Sequence, residues 1–192
     1  YDAMPHFSEY IIFLILGVLG GCIGAFFVHW NVKVSAARMD GTPFRKRVHV
    51  VVEVMLITLI TAVTSWPLLF LRGLSSPMIR VLFHSCHDQS ADAPPDMFGL
   101  CNDDYTEKAD LYLAFLLVLA GALRFLQMTL TFGTGVPCGL FVPSLYAGAA
   151  LGRAVGMVAR HVGFGEMFGY EIYPGIYSMV GAAAVLGGVC RV

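Results

Sequence analysis

The sequence predicts an all-α, multi-pass membrane protein built from tilted and broken helices. Three observations carry that reading. Of the 192 residues, 57% are hydrophobic and only 13% are charged, where a soluble domain has about 45–50% and about 25%. Several runs without any charge are as long as a bilayer is thick. One of those runs is interrupted by glycine and proline. The apolar excess, with a mean hydropathy of +0.73, is too large for a single water-facing core. It excludes an ordinary soluble enzyme and a disordered chain. A net charge of −1 offers no basic face for a nucleic acid.

Four stretches contain no Asp, Glu, Lys or Arg: Tyr10–Val32 (23 residues), Val54–Leu71 (18), Phe125–Gly152 (28) and Ile172–Cys190 (19). About 20 apolar residues span the roughly 30 Å of hydrocarbon in a bilayer. Tyr10–Val32 therefore predicts a spanning helix. Val54–Leu71 predicts a second, with a start as early as Val48. The third run divides. Leu111–Thr131 reads as a helix with one internal charge, Arg124. Phe132–Pro143, FGTGVPCGLFVP, holds three glycines and two prolines, and no continuous helix survives that composition. Ser144–Val162 reads as helix again. Backbone broken at membrane depth must be buried or line a watery cavity, because lipid cannot satisfy its amides. The last run stops just before Arg191 and Val192. Together with a first residue that is Tyr1, this reads as a piece of a longer protein. No signal peptide is visible at the front.

The polar segments orient the chain. Residues 33–49 carry Lys33, Arg38, Arg45, Lys46 and Arg47 against Asp40 alone, so the positive-inside rule makes this loop cytoplasmic. Residues 84–110 carry Asp88, Asp92, Asp96, Asp103, Asp104, Glu107 and Asp110 against Lys108, which fits the opposite side. Pro94 and Pro95 make that segment a loop. It also holds Cys86 and Cys101. A disulfide between them suits an oxidising compartment. Two free thiols, or a metal site with His84 and His87, are the other readings, although the spacing fits no standard zinc signature. Cys22, Cys138 and Cys190 lie in apolar segments and read as small packing residues.

Small residues recur at helical spacing in Gly17, Gly20, Gly21 and Gly24, and again in Gly148, Gly152 and Gly156. Both sets read as seams that let helix backbones approach, with no ligand assigned. No internal repeat is seen. Two charges are awkward. Glu53 opens the second helix and reads as a snorkelling or salt-bridged acid before it reads as a transport residue. Arg124 lies deeper. It reads equally as a structural partner of backbone carbonyls or as a source of positive potential in the interior. His29 and His161 read as interfacial.

The chemistry is concentrated in Gly133–Arg153, GTGVPCGLFVPSLYAGAALGR. Pro143 suits the first turn of a helix, where a missing N–H costs nothing. The amides of Gly139, Leu140, Phe141 and Val142 then project from a helix N-terminus carrying roughly half a positive charge. Such an end is a ready anion site. Interrupted helices aimed at a midplane ligand are a recurring device of transporters. Dipoles also hold an anion weakly enough to release it. A Gly/Pro-rich connector with no ligand is the plain alternative.

GLFVP at 139–143 matches the G-x-F-x-P motif of the CLC chloride channels and chloride/proton exchangers. The chain resembles that family more widely. TFGTGVP, SLYAGAALGR, YPGIYSMVGAAAVLGGVCR at 173–191, LGVLGGCIGAFF at 16–27 and VEVMLITLITAVTSWP at 52–67 are all similar to CLC sequence. The flavour is that of the eukaryotic branch with intracellular exchangers. The resemblance implies that residues 1–192 form part of one transmembrane transport domain, most of the second of two inverted repeats, from helix J to helix O in the family's lettering. It implies chloride as the bound ligand, with no other cofactor and no metal. The amides of Leu140 and Phe141 would contact chloride, Gly139 would permit its close approach, and Pro143 would start the helix. Protons, the lipid bilayer and a second copy of the protein are the implied partners, the dimer forming mostly through regions outside this chain. The implied location is a plasma or organelle membrane. The gating glutamate, the pathway tyrosine, the proton-relay glutamate and any nucleotide-binding CBS domains would all lie outside the chain. Cys138 stands where many relatives carry Gly or Ser, and suggests a thiol-reactive pathway.

Anion transport, as a channel or an exchanger, is therefore the leading expectation. An intramembrane enzyme would need signatures that are missing here, since neither H-E-x-x-H nor G-x-S-x-G occurs. A purely structural membrane subunit would not need broken backbone at depth.

Overall fold

The computed structural model describes residues 7, 9–39, 49–84, 107–134, 136–165 and 172–191. Its elements are α1 (Glu9–Arg38), α2 (Val50–Ser65), α3 (Leu69–Arg72), α4 (Ser75–Phe83), α5 (Glu107–Thr131), α6 (Phe141–His161) and α7 (Pro174–Cys190). All of the regular structure among the described residues is helical. Among the described residues, three helices are long and apolar enough to cross a membrane: α1, α6 and the Leu111–Thr131 part of α5.

Helix α6 is the centre. Its residues 146–150 are all buried, enclosed by α7, α5 and α4. Small side chains make this enclosure close. An added Cβ at Gly148 would overlap the backbone at Gly181 and Ala182, and one at Gly152 would overlap Tyr177. Helix α1 packs on the outer side of α7 through Gly20 and Gly24, which face Ala184 and Gly188. Position numbers rise together along both helices, so α1 and α7 run parallel. Gly17 and Gly21, from the same glycine-rich run, meet nothing. Tyr177 fixes the first turn of α1 by donating its hydroxyl to Glu9 Oε1 at 3.1 Å. Large apolar side chains such as Leu14, Leu59 and Phe115 remain exposed on the outer faces, as suits a surface meeting lipid or further membrane helices.

The element boundaries differ from expectation at four places, each with a local reason. Helix α1 continues six residues past Val32, to Arg38, because the polar residues there stay helical at an interface and gain partners. The second helix ends at Ser65 rather than Leu71, since Pro67 and its restricted predecessor stop it. The short helices α3 and α4 fold back beyond it. Helix α5 begins at Glu107, inside the segment expected to be loop. Helix α6 begins at Phe141 rather than Ser144, which places Pro143 within the first turn. Cys86 and Cys101 lie outside the described residues.

The termini of the central helices are sealed locally. Gly163, at φ 72°, follows α6 and donates its N–H to Arg160 O at 3.0 Å, an ordinary C-terminal use of glycine. Pro174 opens α7, where its fixed φ is helical already. Gly133, at φ 87°, ends the turn after α5 with Ser35 of α1 pressed against it.

Candidate anion site

The expected site residues lie together at the break between α5 and α6. Leu140 closes the break at φ −90° and ψ −24° as the N-cap of α6, and no side chain caps the helix. The first intrahelical bond runs from Ser144 N–H to Leu140 O at 3.1 Å. Pro143 has no N–H to give. The amides of Phe141 and Val142 are therefore left without an acceptor among the described residues. Ser144 spends its hydroxyl inward, on Leu140 O at 2.7 Å and Phe141 O at 2.9 Å, which tightens the turn without capping it. Gly139, Phe141 and Val142 are exposed, and Leu140 and Pro143 half-buried.

The start of the break is held by α1. Arg38 donates Nη1 to Phe132 O at 3.0 Å and Nη2 to Leu130 O at 2.7 Å. The same guanidinium forms an ion pair with Glu53 on α2, both side chains being at most 9% exposed. Glu53 is thus a salt-bridged acid, as its position next to the basic linker suggests. One arginine ties the end of α1, the start of α2 and the end of α5. Asn31 adds an N–H to Phe132 O at 3.4 Å.

A cavity of about 410 Å³ lies beside the helix end. Its walls combine the hydroxyls of Thr58, Thr61 and Ser65 from α2 and Arg124 and Gln127 from α5 with apolar side chains such as Met128 and Phe132, and the segment through Cys138, Gly139, Leu140 and Pro143 closes one side. Among the described residues Arg124 bonds to side chains and to no backbone carbonyl. It donates to Ser75 Oγ at 2.9 Å and Gln127 Oε1 at 3.4 Å, and its guanidinium lies 5.3 Å from the Tyr146 ring centre. Gln127 in turn donates to Thr64 Oγ1 at 3.0 Å and Ser65 Oγ at 3.1 Å, joining α5 to α2. Cys138 is exposed at the mouth. The role imagined for Arg124, an arginine satisfied by carbonyls, belongs instead to Arg153 of α6. Its Nη1 donates to Val81 O at 3.2 Å, Leu82 O at 2.6 Å and His84 O at 2.9 Å.

Sequence reasoning missed the α2 wall and Gln127. The signal was present: Thr58, Thr61 and Ser65 share one face of an otherwise apolar helix, and Gln127 stands one turn after Arg124.

Comparison with known proteins agrees with this architecture. A family model described as voltage gated chloride channel matches residues 1–192. The chain is 35% identical to H(+)/Cl(-) exchange transporter 3 of Mus musculus over 100% of this chain and 25% of that protein. The same figures hold for exchange transporter 3 of Homo sapiens. It is 33% identical to H(+)/Cl(-) exchange transporter 5 of Sus scrofa over 97% of this chain and 25% of that protein. The chain thus spans about a quarter of the length of these curated relatives. With a match that runs from its first residue to its last, this chain belongs to the voltage-gated chloride channel family.

Proposed function

We propose that the chain forms one repeat of a chloride-transporting membrane domain and that the amides at the α6 N-terminus bind the anion in transit. The observation that carries this is the uncapped first turn at Phe141 and Val142, next to a cavity whose walls include Arg124, Gln127 and the hydroxyls of Thr58, Thr61 and Ser65. Free amides and the helix dipole both favour negative charge there. Gly139 and Leu140 bring further backbone to the wall of the same cavity.

The depth of the site supports the reading. The Arg38–Glu53 pair marks the basic face of the bundle. At 1.5 Å per residue, Thr58 lies about 8 Å and Ser65 about 18 Å beyond Glu53 along α2. With that pair at the interface, these cavity residues bracket the middle of a hydrocarbon layer about 30 Å thick. The exposed motif would complete its site against the remaining three-quarters of a protein as long as the relatives. Their names favour proton-coupled exchange over a channel, with protons as the second substrate.

The test is chloride flux in liposomes containing the full-length protein, with pH recorded together. Expected are chloride movement and coupled proton movement. Incorporating the α-hydroxy analogue of phenylalanine at position 141 replaces one N–H by an ester oxygen and leaves the side chain intact. A hydrogen bond to a charged group contributes about 1.5–3 kcal/mol, so half-saturation by chloride should rise about tenfold or more. No flux of chloride or any other small anion from folded protein would overturn the function. Unchanged half-saturation in the ester variant would remove the Phe141 amide from the site.

A further inference from the structure

We propose that the groove between α1 and α7, at the basic face of the bundle, binds an anionic phospholipid, with its phosphate held by Lys33 and Arg191 and one acyl chain laid along α1. The proposal stands on the membrane fold alone and is independent of the anion reading above.

The α1–α7 seam is tight along one side only. Gly20 and Gly24 press on Ala184 and Gly188, whereas a Cβ on Gly21 would meet nothing within 4 Å. A groove of about 600 Å³ opens there, within the about 300–1,000 Å³ usual for small-molecule sites. It runs along α1 from Gly21 through Val28 and Val32 to Lys33, with Arg191 from the end of α7 on its wall. At 1.5 Å per residue, Gly21 to Lys33 is about 18 Å of helix. One leaflet contributes about 15 Å to the hydrocarbon core. The groove is thus as long as the leaflet is deep.

Its polarity is that of a lipid. The deep end is glycine and valine, and the outer end holds His29, Lys33 and Arg191. Among the described residues no acid lines it, and Glu53 on the same face is paired with Arg38. The C-terminus of α7 brings roughly half a negative charge to the same place. The two full positive charges of Lys33 and Arg191 outweigh it. Trp30 is half-exposed beside Lys33, whose Nζ lies 6.0 Å from the indole centre. Such rings settle at headgroup level. Basic pockets between membrane helices bind anionic headgroups in this setting. A zwitterionic headgroup carries the same phosphate but cancels its charge.

The test uses the full-length protein in phosphatidylcholine vesicles with a small fraction of phosphatidylglycerol bearing a diazirine in one acyl chain. Irradiation should label α1 around Gly21, as read by mass spectrometry of its peptides. Added phosphatidylglycerol should suppress this labelling, and added phosphatidylcholine should not. Lys33→Gln combined with Arg191→Gly should reduce it about tenfold or more. Arg191 stands at φ 57°, so glycine there suits the backbone. Gly21→Leu keeps every charge and fills the open groove, and should reduce labelling as strongly. Labelling that survives either change overturns the inference, since the lipid would then be attracted to a basic surface or packed on an apolar one without a site. Inorganic phosphate, added at constant ionic strength, should compete weakly. Competition as strong as that of phosphatidylglycerol would assign the groove to a soluble phosphate and overturn the lipid reading. Should a variant not fold, the unaltered protein decides. Labelling of α1 no greater than that of other lipid-facing helices, or equal suppression by phosphatidylcholine, defeats the inference.

Discussion

Arg153 and Arg124 are both arginines inside the same bundle, and they bond to different partners, backbone carbonyls and side chains respectively. Arg153 is 1% exposed and reaches the carbonyls at the end of α4. A helix C-terminus carries roughly half a negative charge and unsatisfied C=O groups. The guanidinium answers both and fastens α4 to the central helix. Replacing it by methionine, similar in length and apolar, would take the guanidinium donor from those carbonyls in a dry site, with Val81 O keeping the N–H of His84. We expect Arg153→Met to destabilise the full-length protein by about 3 kcal/mol, and Arg153→Lys to recover part of that loss. Thermal unfolding in detergent measures both. A melting temperature unchanged in Arg153→Met would show that α4 is held by its apolar contacts, Met78 and Leu82, alone.

At the scale of elements, the fold is set by which faces carry small residues. Gly24 of α1 lies so close to Gly188 of α7 that a Cβ would overlap its backbone, whereas a Cβ at Gly17 would meet nothing. Glycine-to-alanine normally favours a helix by about 1 kcal/mol. Gly17→Ala should therefore be neutral or mildly stabilising. Gly24→Ala must push the helices apart and should cost about 2–3 kcal/mol. Equal melting temperatures for the two variants would contradict the parallel α1–α7 seam. The sequence shows the seam through 148, 152 and 156 because its fourth-residue spacing stands out. It does not show which glycines of GVLGGCIG face inward, because an apolar helix has no polar face to mark its outside. The break after Thr131 is legible from glycine and proline. Helix α4 is not, because nine residues are too few for a spanning run and Arg80 interrupts them. Of the site, GLFVP is legible as a motif and as a helix start. The cavity beside it needs three helices brought together, and only side-chain contacts such as Gln127 to Ser65 reveal that.

For the whole molecule, the arrangement of helices and the charge pattern make one joint statement about sidedness. Arg38 gathers the end of α1, the start of α2 and the end of α5 at one face. Helix α7, parallel to α1, points its C-terminus the same way. That face carries the basic loop, so the positive-inside rule predicts that it is cytoplasmic. The acidic segment between α4 and α5 then belongs to the other side. The α5–α6 break starts from the face that Arg38 marks and turns back into the bundle, which would leave the anion site reached through the cavity between α2 and α5. Sealed vesicles with the cytoplasmic face outward test this. A cysteine introduced by Thr42→Cys in a cysteine-free protein should react at once with an impermeant maleimide. Native Cys86 and Cys101, restored to the same background, should react only after permeabilisation. If they are paired, a reductant should also be required. Labelling of both segments from the same side of an intact membrane would defeat the assignment. It would also place the mouth of the cavity on the opposite face from the one that the arginines indicate.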